Sequence, residues 1–268
     1  MIRSLAFAAA FYLVTALFLI LGLPLLLAPR SWAMAGLKAH ARTCLWLTHH
    51  VAGIGVEVRG RENLPEGGCL VAAKHQSAWD TFALIPLFRD PALVMKAELM
   101  RIPVYGWFSR KFGMIAVRRD KGPSALRAML KVARARAGEG REVLIFPEGT
   151  RRSPGAPPDY KSGILPLYEA LGVPCVPIAL NSGLYWPRRT IARHPGRIIV
   201  EILPAIPPGL SRREFQITLQ RQIETAADRL LAEAARGPGA PPLPQSARAR
   251  LAELAGQGAE PTAGDHGG

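Results

Sequence analysis

The sequence is short of cysteine. Cys44, Cys69 and Cys175 are the only three in 268 residues, and none shares a CxxC spacing with another. That excludes a disulfide framework and a cysteine-built metal centre, and it fits a reducing compartment. There is no HExxH and no ordered His/Cys set, so the pattern of a metalloenzyme is missing. No serine sits in a GxSxG elbow, which argues against a serine hydrolase. Aromatics make up only 7%, with no helix-turn-helix, zinc-finger or RNP-type signature, so a nucleic-acid-binding module lacks its usual supports. Acidic residues are also scarce: 20 against 34 basic, a net charge of +14. The surplus lies in residues 1–236, because the tail beyond carries two basic and three acidic residues. Such a balance favours an anionic partner: nucleic acid, an acidic membrane surface or a phosphorylated substrate. With 49% hydrophobic residues the chain can build one sizeable core.

One long apolar run stands out. Leu5 to Ala28 is broken only by Thr15, Gly22 and Pro24. Up to Leu23 it would make about 28 Å of helix, close to the hydrocarbon thickness of a bilayer. It could span, or enter one leaflet and turn at Pro24 and Pro29. A cleaved signal peptide ending near Ala33-Met34-Ala35 is the rival, but the run is longer than such segments use. Arg3 flanks one side and Arg30, Lys38 and Arg42 the other, which places the body of the protein in the cytoplasm, on the inner (cell) membrane. Ser31 to Ala52 reads as a second, modestly amphipathic helix, packed on the domain or lying in the interface. From Gly237 onward Gly, Pro and Ala dominate, and disorder is expected apart from one turn around Ala247–Leu254.

Between about 56 and 236, β-branched runs alternate with helical patterns. Strands are expected at Val56–Arg59, Cys69–Ala73, Leu93–Lys96, Met114–Arg118, Glu142–Phe146, Cys175–Ala179 and Arg197–Leu203. Helices are expected at Trp79–Ile85, Leu99–Phe112, Ser124–Ala137, Ile164–Leu171 and Arg212–Ala235. The alternation predicts an α/β fold, a mixed central sheet flanked by helices, preceded by an N-terminal membrane-associated helical segment. The organisation expected is therefore 1–55 anchoring helices, 56–236 catalytic domain and 237–268 disordered tail.

Two constellations carry chemistry. After the strand ending at Ala73 comes Lys74-His75-Gln76-Ser77-Ala78-Trp79-Asp80. An imidazole can accept a proton near neutral pH, and a carboxylate on its far nitrogen fixes the tautomer. Within one helix, residues five apart would diverge by about 140°. His75 and Asp80 therefore meet only if His75 lies in the loop and Ser77 starts the helix. The plain alternative is a capping box, Ser77-x-x-Asp80, with no catalytic role. The second constellation follows the strand at 142–146: Pro147-Glu148-Gly149-Thr150-Arg151-Arg152. Pro147 stops the ladder and Gly149 permits a tight turn. A guanidinium at a strand end can grip a phosphate through two parallel bonds. The alternative is a surface turn with a Glu–Arg pair. Basic residues are dense from Arg118 to Arg141; on the helix from Ser124, Leu126, Met129, Leu130 and Ala133 can face inward with the cations in solvent, and the other use of the stretch is contact with anionic lipid or an acidic acyl carrier.

His75-x4-Asp80, followed about 70 residues later by Phe146-Pro147-Glu148-Gly149-Thr150-Arg151, resembles the glycerolipid acyltransferase family, and within it the bacterial 1-acylglycerol-3-phosphate acyltransferases. Lys96-Ala97-Glu98-Leu99 with Gly113-Met114-Ile115-Ala116-Val117-Arg118-Arg119 is similar to the family's second block, and Val176-Pro177-Ile178 to its fourth. The resemblance covers residues 70–180 in order. It implies His75 as general base and Asp80 as its orienting partner. Glu148, Gly149, Thr150 and Arg151 would organise the acceptor, with Arg119 and Lys96 at its phosphate. Three departures stand out: Lys74 where the family usually has Asn, Ala116 for an aromatic, and Pro154–Pro158 lengthening the segment before Lys161 and Gly163.

The reaction implied is acyl transfer from a thioester to the free hydroxyl of 1-acyl-sn-glycerol 3-phosphate, giving phosphatidic acid. An alcohol needs a base as it attacks, whereas a thiolate leaves readily, its thiol having a pKa of about 8.5. No covalent acyl-enzyme is required. Implied partners are a lysophospholipid acceptor, acyl-CoA or an acyl carrier protein as co-substrate, and an anionic membrane surface. No cofactor, metal or nucleic acid is expected. Alternatives are the same transfer to a lyso-ornithine lipid, or a basic binding protein without catalysis, which would leave both constellations unexplained.

Overall fold

The computed structural model describes residues 1–118, 122–237 and 239–257. In chain order it contains helices α1 (Ile2–Leu21) and α2 (Arg30–His50), strand β1 (Ile54–Arg59), β2 (Leu70–Ala73), α3 (Asp80–Ala83), β3 (Ala92–Lys96), α4 (Tyr105–Lys111) and β4 (Ile115–Val117). There follow α5 (Gly122–Gly138), β5 (Val143–Ile145), α6 (Ile164–Leu171), β6 (Cys175–Leu180), α7 (Ser182–Tyr185), β7 (Gly196–Ile202), α8 (Arg212–Arg236) and α9 (Gln245–Gln257).

The seven strands form one mixed sheet in the order β1-β7-β6-β2-β5-β3-β4. β6, β2, β5, β3 and β4 run parallel, β7 is antiparallel to β6, and β1 is parallel to β7. All seven expected strands are present, with ends shifted by a few residues at most. Both faces are covered, so the central strands alternate between two cores rather than between core and water. In β2, Val71 and Ala73 join the core under α2 and α3, while Leu70 and Ala72 join the one under α5, α6 and α8. The carboxyl ends of the five parallel strands share one edge, where open α/β sheets hold ligands.

α1 and α2 form an antiparallel hairpin, with Thr15 Oγ1 3.1 Å from His40 Nε2 across it. The hairpin lies along the domain and is held at both ends. Near the N-terminus, the Arg193 main-chain N–H donates to Ser4 Oγ at 3.0 Å, and buried Phe7 meets Trp186 edge-on at 5.1 Å. Past the turn, Arg30 makes two hydrogen bonds to Asp90, at 2.8 and 2.6 Å. α1 is long and apolar enough to cross a membrane, yet its outer face is uncovered: Tyr12, Leu13, Ile20 and Leu21 are exposed, as are Leu27 and Trp32 beyond it. In α2 the buried stripe is Ala33, Met34, Ala41, Cys44, Leu47 and Thr48, and Trp32 points out.

Three expectations are corrected. The helix expected over Leu99–Phe112 is broken. A short 3-10 turn ends at Arg101, and a tight turn at Pro103–Tyr105 puts Val104 at φ 61° before α4 begins. Pro103, which lacks an N–H, cannot continue the first turn's hydrogen bonding. The tail is not disordered through residue 257. α9 returns to the body, Ala247 is fully buried, Leu243 and Leu251 pack on the core, and Arg250 pairs with Asp228 at 2.6 Å. Composition could not reveal this, because the docking surface is supplied by α8 and by the distant Pro154 and Gly155. There Gly155, at φ +72°, lies so close that a Cβ would come within 2.7 Å of Ala247 Cα. Finally, Arg141 is not a solvent cation. It is 1% exposed and donates to the carbonyls of Asp90, Pro91 and Phe112. Met129 and Ala133 of α5 are buried, as the periodicity required.

Candidate active site

β2 ends at Ala73, but its ladder continues one residue, Lys74 N–H donating to the Ile178 carbonyl at 2.9 Å. His75 then leaves the sheet in an extended loop. α3 starts at Asp80, not at Ser77: the Ser77 hydroxyl accepts from Trp79 N–H, and Asp80 stands at the first helical position. The capping box is thus only half made. The carboxylate reaches back to the Ser77 N–H as such a box would, but it also does more.

Asp80 is fully buried and accepts four hydrogen bonds. Its Oδ2 takes the Gln76 and Ser77 main-chain N–H groups, both at 2.8 Å, and lies 3.0 Å from His75 Nδ1. Its Oδ1 takes the Ser182 hydroxyl at 2.5 Å. With Nδ1–H committed to a carboxylate, the lone pair of the neutral ring sits on Nε2. Nε2 has no partner among the described residues. Phe146, the residue after β5, stacks on the imidazole with centroids 4.1 Å apart and planes 18° from parallel. The ring is therefore fixed at one nitrogen and one face, with the other nitrogen left to act.

The second constellation sits beside the first because β5 neighbours β2. Gly149 N–H closes a turn on the Phe146 carbonyl at 2.9 Å, with Gly149 at φ +67°, a conformation that favours glycine. The turn sends Glu148 inward and Thr150 and Arg151 outward. Glu148 is 0% exposed. Its Oε2 accepts the His75 main-chain N–H at 2.8 Å, and its Oε1 is 3.2 Å from Lys74 Nζ. Burial pushes its carboxyl above the usual range, opposed by the Lys74 charge and the His75 N–H. Glu148, expected to organise an acceptor, lies buried beneath the loop and holds the His75 main chain. Arg152 N–H donates to the His75 carbonyl at 2.8 Å, so the two loops are stitched on both sides of that residue.

Thr150 and Arg151 are exposed at this edge, and Lys96 is exposed at the carboxyl end of β3, one strand beyond β5. Arg119 lies outside the described residues. The structure therefore joins His75, Asp80 and Glu148 directly and leaves Thr150, Arg151 and Lys96 open along the same rim. Sequence reasoning missed Ser182, Phe146 as a ring support, and the Lys74 cluster. A signal for Ser182 existed: it follows β6, the other neighbour of β2, and a buried Asp80 needs a donor for its second oxygen. Among the described residues no group of three His, Cys, Asp or Glu side chains is placed to hold a metal ion.

Known proteins resemble this chain in sequence and in fold. Residues 55–181 match the family model described as acyltransferase. A 1-acyl-sn-glycerol-3-phosphate acyltransferase of Pseudomonas aeruginosa is 42% identical over 165 residues, 62% of this chain and 64% of that protein. The mouse 1-acyl-sn-glycerol-3-phosphate acyltransferase alpha is 30% identical over 235 residues, 82% of each. The crystal structure of the 1-acyl-sn-glycerophosphate (LPA) acyltransferase PlsC from Thermotoga maritima has the same fold, with a TM-score of 0.71 over 85% of this chain and 97% of that one, at 22% identity. The chain belongs to the acyltransferase family.

Proposed function

We propose that this protein transfers a fatty acyl group from an acyl thioester to the free hydroxyl of a 1-acyl-sn-glycerol 3-phosphate, producing phosphatidic acid. The observation that carries the reading is His75: Nδ1 on a fully buried carboxylate, Nε2 unpartnered, at a sheet edge with exposed Arg151 and Lys96. Nε2 takes the hydroxyl proton as the oxygen attacks the thioester carbonyl. Asp80 stabilises the imidazolium that results. The tetrahedral intermediate collapses with loss of the thiolate, which takes up a proton, and His75 returns to neutral. Arg151, Lys96 and Arg119 bind the acceptor phosphate, an anion suited to guanidinium and ammonium donors. The activity named for the related proteins supports the choice of acceptor. The donor is acyl-CoA or an acyl carrier protein, and no cofactor takes part.

The membrane reading follows from the hairpin. The α1–α2 hairpin is fastened to the domain at both ends, through Ser4 and Phe7 of α1 and Arg30 of α2, so α1 does not cross a bilayer alone. Its outer apolar face enters one leaflet of the cell membrane from the cytoplasmic side, and the surplus positive charge draws the domain onto anionic lipid. The test is to give the purified full chain a mixture of lysolipids with a labelled acyl thioester. Labelled phosphatidic acid is expected. Labelled ornithine lipid alone would overturn the acceptor, and no labelled lipid at all would overturn acyl transfer.

A further inference from the structure

Beneath the candidate base lies a buried polar cluster that the reaction itself does not use. Lys74 is 3% exposed, immediately before His75. Its Nζ is held by both oxygens of Glu224 on α8, at 2.6 and 2.8 Å. The Tyr160 hydroxyl donates to Glu224 Oε1 at 2.9 Å. On its other side the same ammonium faces Glu148 Oε1 at 3.2 Å, and Glu148 Oε2 accepts the His75 N–H. The charged and titratable groups around Glu148 are thus Lys74 and His75 from the loop after β2, Tyr160 from the segment before α6, and Glu224 from α8.

A fully buried carboxylate is costly unless paired, and deprived of its cation it takes up a proton. A neutral carboxyl accepts a weaker hydrogen bond than a carboxylate. The bond at stake holds the main chain of His75, whose imidazole must stay within about 0.5 Å of its productive position between Asp80 and the substrate hydroxyl. Lys74 is placed to keep that acceptor ionised. Glu224 and Tyr160 prevent the ammonium from leaving for solvent. The four side chains come from separate parts of the chain, so the cluster also couples α8 to the base.

We infer that Lys74 is a positioning residue: clamped by Glu224 and Tyr160, its ammonium keeps Glu148 ionised as the acceptor for the His75 main chain, and so holds the imidazole in register with Asp80. This rests on the reading of His75 as the base, which His75→Ala tests separately.

The experiment compares purified full-length wild type, Lys74→Met, Lys74→Met/Glu148→Gln and Glu224→Gln. Each is assayed for kcat and acceptor KM with acyl-CoA and 1-acyl-sn-glycerol 3-phosphate across pH 6.5 to 9, with thermal melts alongside. In Lys74→Met, kcat at pH 7 is expected to fall about 30-fold with acceptor KM little changed, the size of a weakened charge-assisted hydrogen bond. The deficit relative to wild type should shrink as pH rises, because Glu148 ionises again. Lys74→Met/Glu148→Gln should be more active at pH 7 than Lys74→Met, since the amide oxygen accepts the His75 N–H without a buried charge. Glu224→Gln should lose a few-fold in kcat. A Lys74→Met enzyme within twofold of wild type would overturn the inference. So would a deficit that neither varies with pH nor is relieved by adding Glu148→Gln. If Lys74→Met does not fold, the outcome rests on Glu224→Gln: a kcat within experimental error of wild type would overturn the inference, and a kcat loss at unchanged KM would sustain it. Wild-type inactivity, or full activity in His75→Ala, would instead fail the underlying reading.

Discussion

The two ends of β5 carry similar residues and do different things with them. At its start, Arg141 and Glu142 are buried with nearly all their hydrogen-bonding capacity used. Arg141 spends its guanidinium on main-chain carbonyls and on Asp90 at 3.3 Å, and Glu142 accepts the Arg89 and Asp90 N–H groups. At its far end Glu148 is equally buried but less well served, its Oε1 lacking an aligned donor. The carboxyl groups register the contrast. Burial works to raise Asp90, yet the Arg30 hydrogen bond and the charges of Arg141, Arg30 and Lys38 bring it below its ordinary value. Burial raises Glu148, and Lys74 only partly offsets it. The first end is closed and serves stability. The second retains unpartnered atoms and open cations, as a site that must receive a substrate does.

Variants can break or sharpen this comparison. The largest effect belongs to the open end. His75→Ala should reduce kcat by about 10³-fold or more, roughly 4 kcal/mol, with an unchanged melting temperature. Near-normal turnover would remove the base. Next comes the closed end, where Arg141→Met leaves the buried main-chain carbonyls of Asp90, Pro91 and Phe112 without their guanidinium donor. It should cost about 3–5 kcal/mol of stability while kcat per folded molecule holds. A normal denaturant midpoint would show that the buried guanidinium is dispensable. Ser182→Ala removes one of four donors to Asp80 and should lower kcat about tenfold at unchanged acceptor KM, near 1.4 kcal/mol. A rise in KM alone would place Ser182 on the substrate instead. Smallest is Arg250→Ala on α9, below about 1 kcal/mol in global stability because the pair is partly exposed. Its effect should show as faster hydrogen exchange in residues 245–257, and unchanged exchange there would mean that the packing of Ala247 and Leu251 and the Ser246 hydrogen bond hold the helix without the ion pair.

Much of the fold was legible because strands buried on both faces read as uninterrupted apolar runs between Gly and Pro breaks. The pairing of His75 with Asp80 was legible as a condition, that a loop precede the helix, and the loop satisfies it. What stayed hidden depends on contacts remote in sequence. α9 looks like a Gly/Pro/Ala tail until Gly155 offers it a seat. Lys74 looks like a departure from the family's Asn until Glu224, 150 residues away, closes on it. The lengthened segment at Pro154–Pro158 precedes Tyr160, so that departure feeds the same cluster.

By itself the sequence determined the alternation of strand and helix, the apolar N-terminal run and the residue types able to move a proton and hold a phosphate. These follow from local pattern, since periodicity and side-chain chemistry need no partner to be read. Only the tertiary structure decided that Glu148 turns inward beneath His75, that Ser182 completes the carboxylate's donors, and that the α1–α2 hairpin is held along the domain. Each depends on which strands lie side by side, and strand order is fixed by burial over the whole sheet.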